Sequence, residues 1–269
     1  MIRWCAYCQK FMGEKAPFDD YSFTHGQCAS CHSQRVHLRE DMELRLQAMR
    51  EFSQKYFLSA RDGLTFANPR EFVAEGKALG LGPLDLFMGI VQPLLYRIGE
   101  AYARGEITIA REHKFTDFAE RILFHIQEQL ALDVKSSSKG VDVLLLAAEG
   151  NQHTLGIRTL KYAVQEHGFS VEALFPGMPN PEAVAAVGSF SPRVVGLSVA
   201  VPEQVLAAAQ LSQNIREAYG DGVKVVLGGV ALRDHELPGK GEFDLVVSNG
   251  SLDSLLDFLR VTCGPRIVA

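Results

Sequence analysis

Hydrophobic and polar positions divide the chain into three textures. Residues 1–37 hold few aliphatic side chains and are punctuated by Gly13, Pro17 and Gly26. Such a segment cannot bury much of a core and needs another source of stability. From residue 38 the pattern turns helical: Leu38, Met42, Leu46, Met49, Phe52 and Tyr56 recur at spacings of three and four. Asn68-Pro69 can open a second helix, because proline is tolerated in a first turn. A third follows Gly82-Pro83, with Leu84, Phe87, Val91, Leu94, Ile98 and Tyr102 along one side. Pro93 lies inside it and predicts a kink or break. Thr108 can cap a fourth helix running to about Leu132, so residues 38–135 are expected to form a four-helix bundle.

The polar run Lys135–Gly140 is the clearest domain boundary. After it comes the unbroken apolar run Val141–Ala148, as expected of a strand covered on both faces. Helices then alternate with strands: helix 153–167, strand 170–175, helix 181–189, strand 194–199, helix 203–219, strand 223–228, a short helix near 232–236, strand 244–248 and helix 251–262. Five strands separated by helices predict an α/β, Rossmann-like parallel sheet with helices on both faces. Ligands in such folds sit beyond the carboxyl ends of the strands.

Composition narrows the picture only a little. The 269 residues are 47% hydrophobic and carry a net charge of −5, enough for more than one core and without a nucleic-acid-binding field over the whole molecule. No apolar run reaches the ~18–20 residues of a membrane span, and the N-terminus has no apolar signal core. The expected setting is soluble and cytoplasmic, without membrane partners.

Chemistry concentrates in two places. The loop after the first strand reads Glu149-Gly-Asn-Gln-His153-Thr-Leu-Gly156. Imidazole is a frequent ligand of transition metals. Gly156 removes a side chain at the start of the next helix, and Asn151 is placed to bond the other ring nitrogen of His153. A polar loop histidine that only caps a helix is the bland alternative. The third strand ends at Ser198 and the fourth at Gly228-Gly229, a pair that permits close backbone passage of a bulky group.

The second place is the N-terminal segment. Cys5-x-x-Cys8 and Cys28-x-x-Cys31 are separated by nineteen residues, a strong zinc-ribbon signal for a closed, structural four-thiolate site. His25 and His32 are weaker substitute ligands, and an iron–sulfur cluster is a minor alternative. Cys28-Ala-Ser-Cys31-His32 also spells the c-type haem attachment motif, but that would leave Cys5 and Cys8 unexplained. Cys263 stands alone and is expected to be a packed thiol.

Residues 139–269 resemble the cobalamin-binding domain shared by methionine synthase, corrinoid proteins of methyl transfer and cobalamin-dependent light sensors. The family pattern Asp-x-His-x-x-Gly, Ser-x-Leu, Gly-Gly appears as Asn151-x-His153-x-x-Gly156, Ser198-x-Ala200 and Gly228-Gly229. The resemblance implies that His153 is the lower axial ligand of cobalt and that the nucleotide tail runs past Ser198 and the glycine pair. Asn151 departs from the acidic residue and Ala200 from leucine. Tyr102 through Glu112-His113 is similar to the helical-cap signature of the light sensors, Trp, nine residues, then Glu-His. It implies that Tyr102, Glu112 and His113 serve the upper face of the corrin. Tyr102 replaces tryptophan, and Ala103 stands where well-known sensors place a cobalt-capturing histidine. His125 is then read as an ordinary helix histidine.

These resemblances imply a sensor that binds cobalamin, adenosylcobalamin first among its forms, and zinc. It would signal through a protein partner or a change in homo-oligomer, without direct DNA binding and without catalytic residues of its own. A corrinoid methyl carrier of a methyltransferase system is one alternative. A sensor of another tetrapyrrole, bilin or haem, is the other.

Overall fold

A computed structural model of the chain describes residues 1–37, 41–62, 68–130, 141–233, 242–248 and 250–264. It separates into two compact units, Met1–Ala131 and Leu132–Ala269.

The first unit begins with a three-stranded sheet: β1 (Ile2–Cys5), β2 (Phe11–Glu14) and β3 (Phe23–Gly26), in the order β2-β1-β3. A short helix, α1 (Ala29–Ser33), follows. Helices α2 (Met42–Asp62), α3 (Pro69–Ala78), α4 (Pro83–Leu86), α5 (Gln92–Ala103) and α6 (Ile109–Leu130) complete the unit. The expected spacing holds in α2, which buries Leu46, Met49, Phe52 and Tyr56, whereas Leu38 lies outside the described residues. Asn68 caps α3, its Oδ1 accepting from the Arg70 N–H at 2.9 Å. Aromatic edges and faces knit the bundle: Phe72 sits 4.9, 4.5 and 5.7 Å from the rings of Phe52, Tyr56 and Phe118.

Pro93 acts differently from a simple break. Residues Phe87–Val91 form a π-helical turn between α4 and α5, and the Gln92 N–H reaches back to the Phe87 carbonyl. Proline supplies no N–H to the helical ladder, and the wider turn re-spaces the remaining donors. Gly89 sits in that turn, and a Cβ there would lie 2.3 Å from the Trp4 ring. Trp4 is fully buried, packed between Phe11 and Phe23 and against this turn. The cysteine-bearing sheet is therefore seated on the helical bundle by its own apolar face.

The second unit is the α/β fold expected from the alternating pattern. Its strands are β4 (Val143–Ala147), β5 (Val171–Leu174), β6 (Val194–Ser198), β7 (Lys224–Gly228) and β8 (Leu245–Val247), and its helices are α7 (Leu155–Glu166), α8 (Asn180–Phe190), α9 (Glu203–Tyr219) and α10 (Leu252–Cys263). All strand pairs are parallel, in the order β5-β4-β6-β7-β8. The order reverses beside β4, whose neighbours β5 and β6 are reached in opposite directions. That is the topological switch point where doubly wound folds bind ligands. Every residue of β4 is buried, with Leu144 and Leu146 in one hydrophobic cluster and Val143, Leu145 and Ala147 in the other. Two-sided burial is what the unbroken apolar run requires. Cys263 packs in the second cluster, as expected of a structural thiol.

No single described helix is long and apolar enough to cross a membrane; Pro69–Ala78 with Pro83–Ala103 passes that test only as a pair bent by 112°.

Candidate functional site

The sheet of the second unit brings the separated motifs into one row. Ala147 pairs with Ser198, Ser198 with Gly228, and Gly228 with Val247, all at the carboxyl ends of their strands. His153 follows in the loop from β4, two residues before α7 starts at Leu155, and is exposed. It therefore precedes the helix instead of opening it. Its ring makes no hydrogen bond among the described residues.

The role expected of Asn151 is corrected by its surroundings. Its side chain does not reach the imidazole. Nδ2 donates to the Ser198 carbonyl at 2.8 Å, and Oδ1 accepts from the backbone N–H of His153 at 2.9 Å. Asn151 is wholly buried. It pins the end of β6 to the loop after β4 and holds the histidine through its backbone. An amide can donate and accept at once, which a carboxylate cannot. This explains why asparagine suits this position in this chain.

Several supports were not legible beforehand. The Gly177 N–H donates to the Asn151 carbonyl at 2.8 Å, and a Cβ on Gly177 would lie 1.9 Å from the Ala148 oxygen. The Asn180 N–H donates to Glu149 Oε2 at 3.2 Å. Pro176-Gly177 after a strand was a turn signal, but nothing local tied it to residue 151. The buried Gln204 accepts from the Ala200 and Val201 N–H groups at 2.8 and 3.3 Å and closes the loop after β6. A glutamine near the start of a helix reaching back to earlier amides is the capping pattern that signals it.

The glycines separate by what they serve. Gly229 has φ +135°, and a Cβ there would lie 1.9 Å from the Val199 oxygen, so the fold itself demands glycine. Gly228 would meet only an ordinary contact, the Val247 oxygen at 3.7 Å. At Gly156 a Cβ would meet nothing within 4 Å. Packing leaves this space beside the histidine open. The Ser198 hydroxyl likewise has no partner among the described residues. An available imidazole, a free hydroxyl and an open glycine face are a donor set and cradle that suit a large, metal-centred ligand.

In the first unit, Tyr102 lies one residue before the end of α5 and is 43% exposed. Glu112 and His113 lie early in α6, with His113 Nε2 3.6 Å from Glu112 Oε2. Glu112 Oε1 also accepts from Thr116 Oγ1 at 3.0 Å. His125 is occupied locally, its Nδ1 3.0 Å from Glu128 Oε2.

The four N-terminal cysteines do converge: the sulfur atoms of Cys5, Cys8, Cys28 and Cys31 all lie within 4.8 Å of one another. Thiolates at ~2.3 Å from a tetrahedral zinc would be roughly 3.8 Å apart, the separation found between Cys8 and Cys28 Sγ, 3.8 Å. Burial pushes the Cys5 thiol up, but backbone amides of Cys28, Cys8 and Tyr7 outweigh it and bring it to about 7. Burial raises Cys8, and raises Cys31 to about 11. The cluster fits one tetrahedral ion. His25 and His32 are exposed, and His32 Nδ1 lies 3.3 Å from Gln27 Oε1.

Comparison with known proteins bears on both units. Residues 141–250 and residues 70–127 each match a family model described as a B12 binding domain. The HTH-type transcriptional repressor CarH of Myxococcus xanthus is 26% identical over 156 residues, 58% of this chain and 50% of that protein. The chain thus spans about half the length of that curated relative. An uncharacterized 20.5 kDa protein from the bchF-crtJ intergenic region of Rhodobacter capsulatus is 26% identical over 159 residues, 58% of this chain and 81% of that one. In fold, the Methanosarcina barkeri monomethylamine corrinoid protein superposes with a TM-score of 0.60 at 19% identity, covering 79% of this chain and 99% of that one. With both of its B12-binding domains matched and the Rossmann-like fold in place, the chain belongs to the cobalamin (B12)-binding domain family.

Proposed function

We propose that the protein is a cobalamin-binding sensor in which His153 ligates cobalt from below. The observation that carries this is the exposed His153 ring, without a hydrogen bond among the described residues, held by its backbone beside the switch point of a parallel sheet. A neutral imidazole is a good ligand for a transition metal. Ser198 and Gly228 line the row that would take the nucleotide tail, and Gly156 leaves room for the corrin. In the helical unit, Tyr102, Glu112 and His113 are the residues offered to the cofactor. Adenosylcobalamin, when bound, supplies a cobalt–carbon bond that light can break.

What the chain's own residues do is hold and report. Asn151 fixes the height of His153 above the strand ends, so a change at the metal is felt at the β4 and β6 termini. The likeness to a transcriptional repressor supports a regulatory reading over an enzymatic one. The N-terminal segment carries cysteine knuckles in a small sheet. Its output is therefore assigned to a protein partner or a change in self-association. The corrinoid-protein likeness supports the fold; the carrier alternative differs in predicting stable methylcobalamin binding and no light-dependent change in oligomeric state.

The test is the absorption spectrum of the protein reconstituted with adenosylcobalamin, in darkness and after green light, with its oligomeric state measured alongside. A light-dependent change in both is expected. His153→Ala should abolish the histidine-ligated spectrum; an unchanged spectrum would sink the lower-ligand assignment.

A further inference from the structure

The first unit contains a cavity of about 620 Å³ between the β3 approach, α2 and α5. That size is within the ~300–1,000 Å³ of small-molecule sites. Its walls from residues 19–23 and 50–57 lie outside both B12-binding matches, whereas its wall from α5 lies within the match over residues 70–127. Its lining includes Tyr21, Phe23, Arg50, Ser53, Phe57 and Arg97.

Arg97 is the unusual group. Its guanidinium carbon lies 3.6 Å from the centroid of the Phe57 ring and 5.6 Å from that of Tyr21. Stacking of this kind occupies the faces of the planar cation and leaves its N–H edge available. No carboxylate or carbonyl among the described residues accepts from that edge. The other arginines at the cavity are engaged: Arg50 donates to the Phe23 carbonyl at 3.2 Å, and Arg104 pairs with Glu106 at 2.6 Å and Glu100 at 3.7 Å. Tyr21 Oη donates to Glu100. Burial holds the Arg97 guanidinium below its ordinary pKa, against the opposing influence of Tyr21 and Glu100.

Ser53 is a second, independent sign. It is only 8% exposed, lines the same cavity, and its hydroxyl has no partner among the described residues. A half-buried guanidinium and a hydroxyl without a protein partner among the described residues thus line the same cavity, and both are open to an incoming ligand.

We infer that this cavity is a binding site for a small monocarboxylate with an aromatic or apolar body, its carboxylate received by the Arg97 N–H edge and the Ser53 hydroxyl. A carboxylate matches the planar fork of a guanidinium. Asp19, Asp20 and Glu100 also line the cavity and disfavour a more highly charged anion. Phe23, Phe57 and the face of Tyr21 supply an apolar wall for the body.

The probe is sodium benzoate, titrated calorimetrically into the full chain at constant ionic strength, with inorganic phosphate as comparison. Saturable binding of one benzoate per chain is expected, with phosphate weaker. Arg97→Gln should weaken benzoate at least tenfold, and Arg97→Lys should not restore it, because a point charge lacks the fork. Ser53→Ala should weaken it about threefold. It removes an atom with no partner among the described residues, so it remains informative if the Arg97 variants do not fold. Absence of saturable benzoate binding overturns the proposal. So does wild-type affinity in Ser53→Ala or in a folded Arg97→Gln, or phosphate binding tighter than benzoate.

Discussion

The four-cysteine cluster and the cobalt site proposed at His153 are built on opposite plans. The N-terminal site is closed. Four sulfurs lie within 4.8 Å of one another, and Cys5, Cys28 and Cys31, with Met12, are themselves the local hydrophobic cluster. The strand-edge site is open: one imidazole stands on a sheet whose two cores are complete without it. The difference teaches how stability and function divide. Where the ligands are also the core, the ion and the fold stand or fall together. Where burial has already made the fold, a proposed ligand site can gain or lose its occupant without unfolding the chain.

This contrast can be broken from either side. The largest effect should come from stripping the ion with a chelator or from Cys5→Ser. Structural zinc contributes on the order of 10 kcal/mol in small thiolate domains, so the small sheet should unfold. Trp4, the single tryptophan, is seated between that sheet and the helical bundle, and its fluorescence should shift to the red. Helical melting should fall while the second unit's transition stays in place. A Trp4 spectrum indifferent to metal would show that the sheet stands on its apolar face alone.

In the second unit the sheet should be sensitive to backbone space instead. Gly229→Ala would set a Cβ 1.9 Å from the Val199 oxygen at φ +135°, and should cost about 3 kcal/mol or more in urea unfolding. Asn151→Asp should cost about 1–3 kcal/mol at neutral pH, because a carboxylate oxygen replaces the donor to the buried Ser198 carbonyl. The sign with pH is definite. Burial against a carbonyl raises the pKa of the new acid in the folded state, and its protonated form can donate. The deficit should shrink as pH falls through that raised value and grow as pH rises. A deficit that did not vary with pH would mean the side chain had left the Ser198 carbonyl.

The smallest stability effect is expected at Gly156→Ala, within about 0.5 kcal/mol of wild type, since the new methyl meets nothing within 4 Å. Gly156→Leu should instead weaken cobalamin binding while melting normally. Loss of folding there would mean the open face serves the protein and not a ligand.

Much of this was legible in the residues themselves, for identifiable reasons. Two C-x-x-C pairs announce a thiolate cluster because each pair is a local turn whose geometry is set within four residues. The run Val141–Ala148 announced a central strand because burial on both faces leaves no polar position. Pro93 announced an irregularity, but whether the helix would break or widen depended on Trp4 arriving from 85 residues away to fill the space above Gly89. Asn151 was visible as a neighbour of His153, and its true partner was not: the Ser198 carbonyl is 47 residues distant.

The sequence alone determined the long helices of the first unit, the four-thiolate cluster and the alternating fold of the second, because each follows from spacing along a few turns or from unbroken apolarity. Only the tertiary structure decided which amide holds the histidine, which glycines the backbone needs and which leave space for a ligand, and that Arg97 and Ser53 line one cavity. Those facts depend on groups far apart in the chain meeting at hydrogen-bonding or van der Waals distance, and no local period encodes such meetings.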